Sequence, residues 1–169
     1  MSDFAGQIAV MSVAERHYGL PVLLIEEFFR SLPITPVPGA DRRIAGLINQ
    51  RGVSATVIDL RAVFDLPPRR VDEPSCMVLL ETQERLMREA VDANMTAFAE
   101  PVVLLVDAVE RIVSIRDAVS HPPAAHTGHA FAVSVYDLPE GYITVLSVMA
   151  IITDILSMTD STSEAHRSA

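Results

Sequence analysis

The chain has 169 residues, a formal net charge of −9 and a pI near 4.9, with half its residues hydrophobic and no Trp. That length fits one domain, or two small subdomains sharing an aliphatic core, and the acidic balance argues against nucleic acid or anionic lipid as direct partners. The single cysteine, Cys76, excludes an internal disulfide, Met1-Ser2-Asp3-Phe4 lacks the parts of a secretory signal, and the longest C-terminal apolar run, 143–152, falls short of a bilayer span, so a cytoplasmic protein without membrane insertion is expected.

Residues 7–13 and 18–25 are apolar runs separated by Ala14-Glu15-Arg16-His17, which predicts a β-hairpin. Pro33, Pro36, Pro38 and Gly39 make 32–39 an extended connector, and Asp41 is placed to cap a short helical turn reaching Leu47. Gly52 opens a strand over 53–60, followed by a brief helical piece over 61–66 that Pro67-Pro68 stops. Strands are expected at 76–81 and at 102–106, the latter continuing toward Ile115. Between them, 83–99 reads as an amphipathic helix: Thr82 at its start, Met87, Val91, Met95 and Phe98 on one face, Glu84 and Arg88 as an i,i+4 pair. Residues 121–129 form a Pro/Ala/Gly loop. Alternation from Phe131 to Tyr136, a turn at 137–141 and a strand at 142–146 predict a second hairpin, and Ser147 caps a closing helix to Leu156. The polar tail, 161–169, is expected to be disordered, leaving one domain over 1–160. Short strands punctuated by Pro and Gly argue for an all-β fold of small barrels.

Little in the chain points to catalysis. It has no Gly-rich phosphate loop, Cys-x-x-Cys, His-Glu-x-x-His or Gly-x-Ser-x-Gly. Cys76 opens the apolar run Met77-Val78-Leu79-Leu80 and reads as a structural thiol. His121, His126 and His129 have no familiar zinc spacing and lie in a solvated loop, while Glu26, Glu27 and Asp59 read as solvated or ion-paired carboxylates. No catalytic residue, cofactor or metal is therefore assigned. The unusual feature is Asn49-Gln50-Arg51-Gly52, where Asn can bond nearby backbone, Gly permits a sharp re-entry, and Arg carries a rigid five-donor fork. On local grounds alone this is a tight turn with an exposed arginine.

The order and spacing of His17-Tyr18-Gly19-Leu20, Ile25-Glu26-Glu27-Phe28, Ile34-Thr35-Pro36-Val37-Pro38, Ile44-Ala45-Gly46-Leu47-Ile48-Asn49-Gln50-Arg51-Gly52 and Val57-Ile58-Asp59-Leu60-Arg61 resemble the CheW family of chemotaxis coupling proteins. Val103-Leu104-Leu105-Val106-Asp107-Ala108-Val109 and Val145-Leu146-Ser147-Val148 extend the resemblance across most of the chain. The resemblance implies two intertwined, five-stranded SH3-like barrels on one shared core, with short helices and one inserted helix. It also implies a non-catalytic adaptor in two-component signal transduction, linking chemoreceptor cytoplasmic tips to the regulatory domain of a CheA-type histidine kinase and clustering at the membrane through the receptors. By the same resemblance, Glu27 and Arg51 with the neighbouring Ile25 belong to the partner-binding region, and the turn residues Asn49 and Gly52, which hold the arginine in place, complete the set expected to meet a partner. The chain departs from the family at the insertion 83–99, at Pro21, Ser54-Ala55-Thr56 and Val103, and in the Gly-free stretch Phe131-Ala132-Val133-Ser134. These departures suit a diverged scaffold of a non-flagellar chemosensory pathway. A third reading is a small-ligand sensor or enzyme with a pocket beneath the insertion.

Overall fold

A computed structural model describes residues 6–70, 72–124 and 130–167, and the side chains of the last helix through Thr159. The apolar runs become strands that divide between two sheets. β1 (Gln7–Val13) and β2 (Arg16–Pro21) form the first hairpin. Pro21 lacks the N–H that would continue the ladder, and a 3₁₀ turn at Val22–Leu24 carries the chain into the second sheet. There it builds β3 (Ile25–Arg30), β4 (Ile44–Gln50), β5 (Val53–Asp59), the short helix α1 (Leu60–Val63), β6 (Cys76–Leu80), helix α2 (Arg88–Asp92) and β7 (Val102–Val106). It then returns to the first sheet for β8 (Ala108–Ser114), β9 (Val119–His121), β10 (Ala132–Leu138) and β11 (Gly141–Leu146), and closes on helix α3 (Val148–Arg167). The strand orders are β8-β1-β2-β11-β10-β9 and β3-β6-β7-β5-β4, with β2/β11 and β5/β7 parallel and the other pairs antiparallel. The fold is thus the expected all-β pair of intertwined units, built as open sheets of six and five strands rather than closed five-stranded barrels.

Three apolar clusters follow from the period-2 alternation of these strands. Ile8, Val10, Ile143 and Val145 form a cluster on the first sheet, and Ile48, Ala55, Val57, Met77, Leu79, Val103 and Leu105 form one on the second. The largest lies between the sheets, where Met11, Tyr18, Leu20, Ile58, Leu60, Val78, Leu104, Val106 and Leu146 meet Val148, Ile151, Ile152 and Ile155 of α3. Leu60, Leu104 and Ile151 are wholly out of water, each contributing about 2 kcal/mol of transfer free energy. Tyr18 stacks on Phe64 with ring centroids 4.6 Å apart.

Several local expectations are corrected. Residues 44–47 belong to β4, and Asp41 instead makes an Asx turn in which its Oδ1 accepts from the Arg43 amide (2.9 Å). The 83–99 segment is not one helix. It contains a 3₁₀ turn at Gln83–Arg85 and the five-residue α2, which Asn94 ends at φ +56 with Met95 N–H bonding Ala90 C=O and Asn94 N–H bonding Val91 C=O, a Schellman termination. Arg88 pairs with Asp92 (3.8 Å) rather than with Glu84. The Ser147 cap is present, its Oγ accepting from Ala150 N–H at 3.2 Å, but α3 continues past Leu156 to Arg167. Its hydroxyl residues bond back into the helix, Ser157 to the Asp154 carbonyl (2.9 Å) and Thr159 to that of Ile155 (3.0 Å), so polarity there does not stop it.

One carboxylate ties the two sheets together. Asp107 is the single residue between β7 and β8, where the chain passes from one sheet to the other. It accepts from the Ala14 amide (2.7 Å) in the β1–β2 turn, from Arg61 Nε (2.9 Å) and Nη2 (2.8 Å) in α1, and from Arg69 Nε (3.1 Å). Arg61 also bonds Glu73 (3.1 Å). Both guanidinium side chains are about nine-tenths buried, at 12% and 9% exposure. Burial alone would raise the Asp107 pKa, but bonds from Arg61, Ala14 N–H and Arg69 outweigh it and hold the pKa at about 2.

Asp107→Asn takes the counter-charge from Arg69 and one of two from Arg61, both part-buried, and is expected to lower the unfolding free energy by roughly 2–3 kcal/mol, read by urea denaturation. An unchanged midpoint and slope would refute the role given to this carboxylate. Because its folded pKa lies below the unfolded value of 3.8, the stabilisation is fully present above about pH 4 and is lost as pH falls toward 2, an acid-limb contribution of roughly 2 kcal/mol that Asp107→Asn should lack.

Candidate functional site

The last pair of the β4–β5 ladder is Gln50 with Val53, so Arg51 and Gly52 alone make the turn. Their φ values, +53° and +84°, are both positive, as a type I′ hairpin requires, and the Asn49 side-chain oxygen accepts from Gly52 N–H at 2.9 Å. Such turns favour Asn-Gly or Gly-Gly. A non-glycine residue in this conformation costs about 1 kcal/mol or more, and here that residue is Arg51 itself. Its guanidinium is 77% exposed and donates from Nη2 to Glu27 Oε1 at 2.8 Å.

Glu27 reaches Arg51 because the second sheet curls until its edges, β3 and β4, approach. The connector from β3 crosses over β4, with Thr35 and Leu47 exchanging two backbone hydrogen bonds of 2.9 Å. Gly46 permits the crossing: at φ +145°, a Cβ there would sit 2.2 Å from the Thr35 carbonyl oxygen. A β-bulge between Ile25 and Glu27 then re-aims β3. Beyond it, Phe29 joins the second sheet's own cluster, whereas Ile25 and Phe28 pack against the core shared by the two sheets. The structure therefore brings Glu27, Asn49, Arg51 and Gly52 together at one end of the second sheet and sets the half-buried Ile25 toward the shared core.

Neighbouring charges extend this patch in a way the sequence did not reveal. Glu26, read there as a solvated carboxylate, accepts from Arg85 Nη1 of the insertion at 2.7 Å. Glu81 lies beside them, its pKa raised by burial and then by the charge of Glu26, with Arg85 opposing; its Oε2 is buried without a hydrogen-bond partner. Asp59 is the N-cap of α1, accepting from Arg61 N–H at 2.9 Å. The Cys76 thiol is pushed up by burial and contacts the Phe29 carbonyl (3.4 Å), opposite to what a nucleophilic thiolate needs.

Ligand chemistry finds little purchase. Beneath the insertion, the space among Leu24, Glu81, Phe98, Val102, Met149 and Ile152 measures about 20 Å³, one water's room rather than the several hundred Å³ of a ligand pocket. A larger open cleft of about 560 Å³ lies between the start of β4 and α3, walled by Phe64 and Phe131. Its buried arginine, Arg43, is already held by Asp41 (2.8 and 2.9 Å) and Asp154, and Arg42 pairs with Asp65. Among the described residues no three His, Cys, Asp or Glu side chains are grouped to hold a metal ion; His121 stands exposed on β9, and His126 and His129 lie outside the described residues. No helix among the described residues is long and apolar enough to cross a membrane.

The chain matches a family model described as the CheW-like domain over residues 7–156. It is 30% identical over 74 residues to the chemotaxis protein CheW of Bacillus subtilis (strain 168), a match covering 44% of this chain and 47%, about half, of that protein. It also superposes on the crystal structure of the scaffolding protein TtCheW from Thermoanaerobacter tengcongensis with a TM-score of 0.69 and 26% identity, over 85% of this chain and 89% of that one.

Because the Arg51 conformation opposes stability while its exposed ion pair is worth less than about 1 kcal/mol, Arg51→Asn should match or exceed wild-type stability by up to about 1 kcal/mol. Thermal unfolding checks this. A midpoint several degrees below wild type would show that the arginine serves the fold instead.

Proposed function

Since this chain belongs to the CheW-like domain family, whose members are non-catalytic scaffolds, we propose that it couples chemoreceptors to a CheA-type histidine kinase in the cytoplasm. Its partners are the receptor cytoplasmic tip and the kinase regulatory domain, and receptor binding gathers it at the membrane. The residues that meet a partner are Glu27 and Arg51, on a turn shaped by Asn49 and Gly52, with Ile25 as the apolar neighbour that sets β3 against the shared core.

One observation supports this most: an arginine occupies a turn position that favours Asn or Gly, and its ion pair with Glu27 leaves the guanidinium 77% exposed. Strain at an exposed tip, without a compensating gain in the fold, is the signature of a residue kept for recognition. Glu27 limits the arginine's motion, so less conformational freedom is lost when a carboxylate or carbonyl on a partner takes the remaining donors. The insertion between β6 and β7 favours a diverged member of the family, serving a non-flagellar chemosensory pathway with its own partner set.

Arg51→Glu reverses the charge at the tip and faces Glu27 with a like charge, without touching either core. Calorimetric binding to the receptor tip fragment and to the kinase regulatory domain of the same organism should weaken by about tenfold or more for at least one of them, with unfolding little changed. Wild-type affinity for both fragments would overturn the assignment.

A further inference from the structure

The segment 81–101 between β6 and β7, which holds the insertion at 83–99, departs most from the family pattern, and the structure ties it to the Arg51 patch through a short series of contacts. Arg51 bonds Glu27, Glu26 is the next residue of the same bulged strand, and Arg85 of the insertion bonds Glu26. The insertion is pinned as a closed loop by Gln83, whose N–H donates to the Phe98 carbonyl (3.0 Å) and whose side-chain oxygen accepts from Ala97 N–H (2.8 Å). Ala90 is fully buried and Phe98 packs on the shared core, which fixes α2 against the 3₁₀ turn leading into β3.

What this anchoring presents outward is a pair of apolar side chains. Met87, at the start of α2, and Val91, one turn later, are 47% and 51% exposed. A loop held by one backbone and one side-chain hydrogen bond of Gln83 and by a buried alanine is a rigid mount, so these residues lose little freedom when covered. The charge around them is one-sided. Residues 81–100 carry Glu81, Glu84, Glu89, Asp92 and Glu100 against Arg85 and Arg88, and both arginines are engaged, with Glu26 and with Asp92. Glu84 and Glu89 have no ion pair among the described residues.

We infer that the insertion is a specificity element for the partner that engages Arg51: Met87 and Val91 dock apolar side chains of that partner, and Lys or Arg residues beside them answer the acidic rim. The occupant is therefore an amphipathic segment with basic flanks on the same protein that contacts the Arg51 turn. This rests on the proposed coupling function and adds to it a contact surface that the family pattern does not carry.

The test measures binding of the full chain to the receptor tip fragment and, separately, to the kinase regulatory domain, for wild type, Arg51→Glu and the double variant Met87→Ala/Val91→Ala. Both altered side chains are half exposed, and far-UV circular dichroism with thermal unfolding checks that the double variant folds as wild type. The expected result is that the fragment weakened by Arg51→Glu is also weakened by the double variant, by about tenfold, and that raising salt from about 0.05 M to about 0.3 M weakens it further in wild type. If Arg51→Glu weakens a fragment that the double variant binds normally, the coupling function stands and this inference falls. If the double variant acts only on the other fragment, or if salt leaves the affinity unchanged, the shared basic partner is wrong. If neither variant alters either fragment, both readings fail together.

Discussion

The architecture depends on where a single half-buried carboxylate sits. The chain crosses from the second sheet to the first in one residue, and that residue, Asp107, faces inward to two arginines and a backbone amide. The amide belongs to Ala14, which with Glu15 forms a two-residue turn at φ +47° and +65° without the Gly or Asn such turns favour. A charge-assisted hydrogen bond to that turn offsets its strain, so the first hairpin, the sheet crossing and α1 are fixed by the same group. Neither sheet is closed on itself, and the apolar layer between them keeps its register through this contact and through α3.

The Glu27–Arg51 patch grows out of that frame. Arg61, one of the arginines on Asp107, lies in α1, which follows directly from β5, so the base of the β4–β5 hairpin is anchored while its tip is free to carry Arg51. The Thr35–Leu47 crossing, possible only because Gly46 has no Cβ, brings that tip to Glu27 on the opposite edge strand. Buried and exposed arginines thus have separate roles. Arg61 and Arg69 hold the fold, and Arg51, weakly paired and in a strained turn, offers its donors outward.

Much of this was legible in the sequence because it depends on local pattern. The aliphatic runs became strands, Ser147 capped α3, and Asn49-Gln50-Arg51-Gly52 was a tight turn, with Asn49 bonding Gly52. The misreadings arose where distant contacts decide. Residues 41–47 were expected to coil as a helical turn, yet pairing with Thr35 on one side and β5 on the other holds β4 extended. Of the apolar face read over 83–99, Phe98 packs inward, but Met87 and Val91 stand in solvent; the buried residue of α2 is Ala90, which that face did not include, and Asn94 ends the helix. The Arg85–Glu26 pair spans 59 residues and the Arg61–Asp107 pair 46, and no spacing rule reveals such partners.

The central claim is that this chain is a scaffold that joins two other proteins, and co-sedimentation tests it most directly. Membranes bearing the chemoreceptor of the same organism are mixed with the purified CheA-type kinase, with and without this protein, and pelleted. The account predicts that the kinase enters the pellet only when the wild-type protein is present. Kinase recovery that is independent of the protein, or its absence from the pellet despite the protein, would contradict it.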